Sequence, residues 1–281
     1  MIAIIGIVVV IGAILFGYLE EGGKLLLLLQ PAEFVIIGGA GIGGLLIGTP
    51  KPVLSRIFKG LKDAFKGKSY EKIYEDLLFV LFELSSLTRS QGILAMEEHV
   101  ENPKSSAILA HIKTQNKLMR FLCDSVRLVI LGLSVNELDV LLSNDLESQE
   151  QSSHHPGGAL TKLGDSLPGL GIVAAVLGIV ITMSSIGGEA ATVGKKVATA
   201  LVGTFLGVLL SYGFVQPLAS NVGSQNENEY RLMLVAKEGI LALANGSNPI
   251  IVCEFARRCM PDDERPDFVE MEHMLKKERP K

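Results

Sequence analysis

Few residues in this sequence have a type and spacing that could do enzyme chemistry. Gly39, Gly41 and Gly44 fit a GxGxxG pattern, which in soluble enzymes follows a strand and binds a dinucleotide. Here the pattern lies inside an apolar run, so it does not predict a nucleotide site. His154 and His155 are adjacent and would point in different directions on a helix, and the three cysteines form no CxxC. We therefore predict no enzyme, no catalytic residue, no metal site and no bound cofactor.

The informative residues lie in or beside long apolar runs. Glu33 is the one ionisable side chain within those runs, and an ionisable group inside a membrane is by default functional. A proline two residues earlier predicts a helix start, so the helix dipole would favour this carboxylate in the first turn. We therefore interpret Glu33 as structural and expect it to face lipid or a neighbouring subunit. Pro168 and Pro217 either bend their helices or mark helix ends. The Thr204 hydroxyl either has a functional role or bonds to the backbone of its own helix.

The elements that hold these residues are four runs of membrane-crossing length: residues 1–18, 25–50, 167–186 and 197–222, with one charged side chain in total. About 20 helical residues cross a bilayer core, so each run predicts a transmembrane helix. The chain of 281 residues is 48% hydrophobic and has a net charge of -4, which argues against a disordered, disulfide-rich or nucleic-acid-binding protein. The first run lacks the flanks of a signal peptide, so we expect it to be retained.

Charge next to the runs predicts their orientation. Six basic residues follow the second run, whereas the two short connections together carry three. Because basic residues favour the cytoplasmic side, we expect the N-terminus, the large loop and the C-terminus in the cytoplasm, and the two short connections outside. The basic residues after the second run are Lys51, Arg56, Lys59, Lys62, Lys66 and Lys68.

The large loop reads as helical. We predict helices over residues 69–100 and 105–131 and a third from Ser134, whose spacing to Glu137 fits a capping box. Residues 148–158 are polar and turn-rich, which predicts a linker. The predicted fold is an all-α integral membrane protein with four transmembrane helices and a large helical cytoplasmic domain between the second and third.

The predicted organisation has four parts. Residues 1–50 hold the first two spans, 51–166 a cytoplasmic helical domain, 167–222 the last two spans and 223–281 a cytoplasmic tail. Small residues four apart allow membrane helices to approach closely, which predicts helix packing through the pairs Gly39 with Gly43, Gly44 with Gly48 and Gly203 with Gly207.

Four segments stand at characteristic separations and are spread along most of the chain. They are QPAEFVIIGGAGIG at 30–43, GDSLPGLGIVAAVLGIV at 164–180, VGTFLGVLLSYGFVQPLA at 202–219 and, in the tail, ERP at 264–266. This combination resembles the MotA-type stator subunits of the flagellar motor, within the MotA/TolQ/ExbB proton channel family. The resemblance implies a subunit that, with MotB, conducts protons across the inner membrane and converts the flux into torque.

The resemblance also implies partners and roles. MotA-type subunits form a ring, viewed as five around two MotB chains, and MotB supplies the ion-carrying Asp. Pro168 and Pro217 correspond to the family's functional prolines, and Thr204 to the hydroxyl lining the ion path. Sodium-driven relatives carry a threonine where this chain has Ala175. Because an alanine methyl offers a sodium ion no oxygen ligand, we expect the proton to be the coupling ion.

In the loop, Arg89 and Glu97 match the charged pair that meets the rotor protein FliG, since the Glu stands eight residues after the Arg and an Asn-Pro turn follows. Glu98 stands where the enteric pattern has a basic residue, so the local charge differs. Two alternatives remain: a TolQ/ExbB-like energiser of outer-membrane processes, which the two-span N-terminal hairpin and the ERP tail disfavour, and a structural membrane scaffold without ion flux, which leaves the two prolines and Thr204 unexplained.

Overall fold

The structure is a computed structural model that describes residues 2–66, 69–183 and 190–277. Within these ranges the chain is helical and contains no strand, which confirms the all-α prediction. Four helices are long and apolar enough to cross a membrane, as the four charge-poor runs predicted. The connection between the third and fourth spans falls partly on residues 184–189, which lie outside the described ranges, as do the ends of the chain.

The four spans lie in helices at the two ends of the large loop. The helices that contain the first two spans, with the helix that follows them, are α1 (Ile2–Glu20), α2 (Leu25–Leu28), α3 (Pro31–Gly48) and α4 (Lys51–Lys66). The third span lies in α8 (Val135–Met183), and the fourth runs through α9 (Ala190–Val208), a π-helix (Leu209–Val215) and α10 (Gln216–Ala244).

The remaining helices form the loop and the tail. In the loop they are α5 (Glu71–Gln91), a 3₁₀-helix (Ile93–Met96), α6 (Glu97–Glu101), a second 3₁₀-helix (Ile108–Ile112) and α7 (Asn116–Ile130). In the tail they are α11 (Pro249–Arg258) and α12 (Phe268–Lys277). The predicted capping box is confirmed at the start of α8, where the Ser134 backbone N–H donates to Glu137 Oε2 at 3.0 Å and the Glu137 N–H donates to Ser134 Oγ at 3.3 Å.

The chain divides into two compact units. The membrane unit consists of Met1–Lys68 and Ser153–Asn226, and the loop-and-tail unit consists of Ser69–Ser152 and Glu227–Lys281. In the loop-and-tail unit a single large apolar core surrounds α5, whose fully buried side chains include Leu77, Leu78 and Leu81. Helices α8 and α10 contribute residues to both units.

Several local predictions differ from the structure. The predicted helix over 69–100 is interrupted at Gly92, and the predicted helix over 105–131 is a short 3₁₀-helix followed by α7, which begins only at Asn116. Residues 148–158 are not a linker but lie inside α8, so the packing of their neighbours overrides their turn-forming composition. Of the two alternatives left open for Pro168, the structure excludes a helix end, because α8 starts at Val135 and continues through both Pro156 and Pro168. Each interior proline removes one backbone donor from α8.

Candidate functional site

The third and fourth spans approach each other at glycines. A Cβ added at Gly171 would lie 2.7 Å from the carbonyl oxygen of Gly203, and one added at Gly207 would lie 2.6 Å from the carbonyl oxygen of Leu167. These distances are shorter than real Cβ contacts, so the two backbones can approach this closely only because both positions are glycine. In lipid, where apolar side chains gain little by associating, such close packing is a main source of helix association.

The other two predicted glycine pairs, Gly39 with Gly43 and Gly44 with Gly48, lie in α3, and a Cβ added at Gly44 or Gly48 would meet nothing within 4 Å. A Cβ at Gly39 or Gly43 would meet nothing within 4 Å, whereas one at Gly41, which lies between them, would lie 3.1 Å from Leu163 Cδ1 and 3.2 Å from Leu167 Cδ2. Gly41 therefore faces α8 within this chain. Gly39 is exposed and Gly43 is half-buried, and no described residue of the same chain packs closely on either.

Ala175 and Thr204 lie at or beside the contact between α8 and α9. Ala175 is 6% exposed, and its backbone nitrogen would lie 3.1 Å from a Cβ added at Gly203, the residue before Thr204. Thr204 is half-buried, and its hydroxyl makes no hydrogen bond within the described part of the chain. By contrast, the Thr182 hydroxyl donates to the Gly178 carbonyl at 2.8 Å. The Thr204 hydroxyl is thus not engaged by its own helix.

Pro168 lies next to a polar link between the third and fourth spans. Because Pro168 has no N–H, the carbonyl of Gly164 loses its helical donor, and α8 is weakened at this point. One residue further along, Asp165 Oδ1 accepts a hydrogen bond of 2.6 Å from Gln216 Nε2 of α10. Sequence reasoning missed this pair. The only signal was that a carboxylate stands just before the third apolar run and an amide stands in the later part of the fourth.

Pro217 is the second residue of α10, two residues after the end of the π-helix. In an α-helix the proline ring would clash with the carbonyl four residues earlier, and that carbonyl belongs to Gly213 within the π-helix. The wider turn therefore accommodates the proline, and the helical path continues into α10. Ser211, also in the π-helix, is fully buried, and its Oγ has no hydrogen-bond partner among the described residues. Neither the π-helix nor the unpartnered Ser211 hydroxyl was predicted from the sequence.

Glu33 occupies the predicted first turn of α3, but its predicted surroundings are wrong. The side chain is 5% exposed and does not face outward. A Cβ added at Gly203 would lie 2.6 Å from Glu33 Oε2, and one added at Gly178 would lie 3.8 Å from Oε1. The carboxyl therefore lies against α8 and α9. Its Oε2 has no hydrogen-bond partner among the described residues.

The predicted rotor-facing residues lie on one exposed stretch of the loop-and-tail unit. Arg89 is in the last turn of α5, and Glu97 and Glu98 begin α6. All three side chains are exposed, and none forms an ion pair with another described residue. Gly92, at φ +89°, turns the chain between the two helices, a conformation that favours glycine.

Arg127 of α7 holds the end of this stretch in place. Its Nη2 donates to the Val100 carbonyl at 2.9 Å, its Nε to Glu101 Oε1 at 2.9 Å and its Nη1 to Asp124 Oδ1 at 2.8 Å. The hydrogen bond to Glu101 raises the pKa of Arg127 above its ordinary value, so the guanidinium keeps its charge. Arg127 therefore holds the end of α6 in place, next to the exposed carboxylates of Glu97 and Glu98.

A partly buried ion pair joins α8 to α10 within the loop-and-tail unit. Lys237 is 9% exposed, and its Nζ lies 2.6 Å from Asp139 Oδ1 and donates to Ser143 Oγ at 2.9 Å. The hydrogen bond from Lys237 lowers the pKa of Asp139 below its ordinary value. Pro168 also lies in α8 and Pro217 also lies in α10. The ion pair therefore joins the two helices that hold these prolines.

Comparison with known sequences identifies related proteins across the whole chain. Residues 4–92 match the motility protein A N-terminal family, and residues 113–234 match the MotA/TolQ/ExbB proton channel family. Motility protein A of Salmonella typhimurium is 39% identical, and that of Escherichia coli 38%, each alignment covering 98% of this chain and 95% of the relative. Chemotaxis protein LafT of Vibrio parahaemolyticus is 32% identical over 96% of this chain and 97% of its own length.

Two solved structures share the fold. The structure of Campylobacter jejuni MotAB superposes with a TM-score of 0.79 at 21% identity, covering 94% of this chain and 98% of that chain. The flagellar MotAB stator complex of Bacillus subtilis superposes with a TM-score of 0.77 at 23% identity, covering 93% of this chain and 96% of that chain.

Proposed function

This chain belongs to the motility protein A family, within the MotA/TolQ/ExbB proton channel family, and we propose that it is a stator subunit of the bacterial flagellar motor. The observation that carries the proposal is the 39% identity to a motility protein A over nearly the whole of both chains. The subunit acts with MotB in the inner membrane and is a channel component rather than an enzyme. It uses ion flux to produce torque.

This subunit forms a ring around MotB, with five copies to two MotB chains. The uncovered surface at Gly39 and Gly43 supports a neighbour in the membrane, because small residues let another helix approach. The basic face of α4 supports an orientation with the loop, the tail and the N-terminus in the cytoplasm, and the short connections outside.

Protons are the coupling ion, and they cross beside the third and fourth spans. The described residues of these two spans include no acid or base, so the ion-carrying Asp comes from MotB. Thr204 offers a free hydroxyl, and Ala175 offers no oxygen ligand to a sodium ion. One proton contributes about 2.3 kcal/mol per 100 mV, which suffices to shift helices that are already weakened at Pro168 and near Pro217.

Contact with the rotor is made by Arg89, Glu97 and Glu98, which meet charges on FliG. These side chains are exposed and have no ion partner among the described residues, so they are available to another protein. Exposed pairs are individually weak, about 1 kcal/mol or less, which suits a contact that forms and breaks at every step.

Complementation of a strain that lacks motility protein A tests the proposal. We expect this chain to restore swimming and to co-purify with MotB. Failure of both would reject the stator role, and co-purification with an ExbD- or TolR-type protein instead would assign it to the energiser branch.

The coupling ion is tested separately. Replacing sodium by potassium at fixed pH and membrane potential should leave the rotation of tethered cells unchanged, because no site for a desolvated sodium ion is present at Ala175. Loss of rotation in potassium would contradict proton coupling.

A further inference from the structure

Glu33 is a buried carboxyl for which the stator mechanism above has no role. We propose that Glu33 is a second proton-binding carboxyl of the ion path, contributed by this chain and acting in series with the Asp of MotB. The inference rests on the proposed function, because it adds a step to the same proton path. The following contacts carry it.

Two glycines make room for the carboxyl group. Gly178 of α8 and Gly203 of α9 lie next to the two oxygens of Glu33, and a Cβ at Gly203 would overlap Oε2 at 2.6 Å. Gly178 also packs against Ala200, so the two helices are close at this level. The absence of side chains at these positions leaves only backbone between the carboxyl and the contact of the third and fourth spans.

The surroundings leave the carboxyl without a charge partner. The carboxyl lies beside Gly178 and Gly203, and the residues packed against these two glycines are Ala174, Ala175 and Ala200, none of which is charged. Glu33 Oε2 is buried and has no hydrogen-bond partner among the described residues. A buried carboxylate without a partner is costly, and binding a proton removes that cost.

The ligand of this site is a proton rather than a metal ion. No group of three or more His, Cys, Asp or Glu side chains that could hold a metal occurs among the described residues. A sodium or other hard cation needs several oxygen ligands, and this carboxyl is one group among methyl and glycine carbons. Proton binding needs one carboxylate oxygen.

The position of Glu33 suits an entry step. It lies in the first turn of α3, on the side of the short connection that we assign to the outer face, and at the level of Gly203, next to Thr204. A hydronium ion from outside gives its proton to Oε2, so an O–H bond forms and water is released. That O–H bond then breaks as the proton passes, through water, to the carboxylate of MotB, and Glu33 returns to its ionised form.

The test measures proton flux in liposomes that contain this chain with MotB, using an enclosed pH dye and an imposed membrane potential. Glu33→Gln keeps the size and polarity of the side chain but cannot release a proton. We expect it to lower the flux about tenfold, which corresponds to about 1.4 kcal/mol in the barrier. Glu33→Asp should retain intermediate flux. The matched control is Glu21→Gln, an exposed carboxyl of the short connection, which should conduct like the unsubstituted complex.

Flux of Glu33→Gln equal to that of the unsubstituted complex would overturn the inference, because a purely structural Glu33 is replaced well by glutamine. Absence of flux in the unsubstituted complex would instead reject the proposed function itself.

Labelling of the unsubstituted complex decides the matter even if Glu33→Gln fails to assemble. A hydrophobic carbodiimide adds to protonated carboxyls in membranes, and mass spectrometry locates the adduct. We expect an adduct on Glu33 and none on Glu21. An unmodified Glu33 would overturn the proposal.

Discussion

Different kinds of side chain stabilise the interior of the membrane unit and the interior of the loop-and-tail unit. The loop-and-tail unit has one large core of leucines, aromatics and methionines around α5, several of them fully buried. The membrane unit has two small clusters, and its helices approach most closely at glycines. Water drives the first kind of packing, whereas lipid gives apolar side chains little reason to associate. Truncating a buried side chain should therefore destabilise the loop-and-tail unit. Adding a methyl group at a closely packed glycine should destabilise the membrane unit.

The largest expected loss of stability follows Leu81→Ala in the loop-and-tail core. Leu81 is fully buried, so its truncation leaves a cavity and should lower the free energy of unfolding by about 3 kcal/mol. Thermal melting of the complex with MotB, followed by circular dichroism, measures the effect. Leu131→Ala, at a position 75% exposed, is the control and should change little. Equal losses in both variants would remove the basis for the comparison.

The next effect is an addition in the membrane unit. The Cβ of Gly207→Ala would overlap the backbone of α8 at Leu167 and Gly171, which cannot yield as a flexible side chain would. We expect a loss of about 1–3 kcal/mol, together with reduced recovery of the complex in size-exclusion chromatography. Gly169→Ala, in α8 with open space around it, should be recovered normally. A normal melting temperature for Gly207→Ala would show that these helices are not closely packed.

A smaller effect is expected for Asp139→Asn. Because Asp139 is half exposed, its pair with Lys237 should contribute about 1 kcal/mol or less at neutral pH. The folded-state pKa lies below the unfolded value, so this contribution is complete above the ordinary carboxyl range and is lost as pH falls through the folded-state pKa. Melting at stepped pH values should show the difference between Asp139→Asn and the native chain shrinking on acidification. Glu147→Gln, an exposed carboxyl of α8, is the control.

The smallest effect on stability, and a large one on function, is expected for Arg89→Glu. The side chain is exposed and has no ion partner among the described residues, so melting should not change. Torque under load, measured with a bead on a tethered filament, should fall because the charge facing the rotor is reversed. Lys113→Glu is an exposed charge reversal elsewhere in the loop and should rotate normally. Normal torque in Arg89→Glu would reject its role at the rotor.

The four spans were predictable because a run of about 20 residues without charge has few other uses. The helix start at Ser134 was predictable because its cap is local in sequence. The surroundings of Glu33 were not, since they depend on Gly178 and Gly203, more than a hundred residues away. Spacing alone also could not tell Gly41, which packs on α8, from Gly39 and Gly43, which do not, because a glycine pattern carries no information about its partner.

The π-helix at Leu209–Val215 changes the direction in which the side chains that follow it point. A π-helix arises when a chain accommodates one residue more than regular α-helical turns would hold, and one residue corresponds to about 100° of rotation around the axis. Side chains after Val215 therefore point about a quarter turn away from where a helical wheel drawn from α9 would put them. A single-residue deletion within 209–215 would remove the extra residue and rotate Gln216 away from Asp165, and it would also bring the ring of Pro217 against the carbonyl four residues before it. A deletion, unlike a substitution, therefore tests the rotational position of the side chains in this helix.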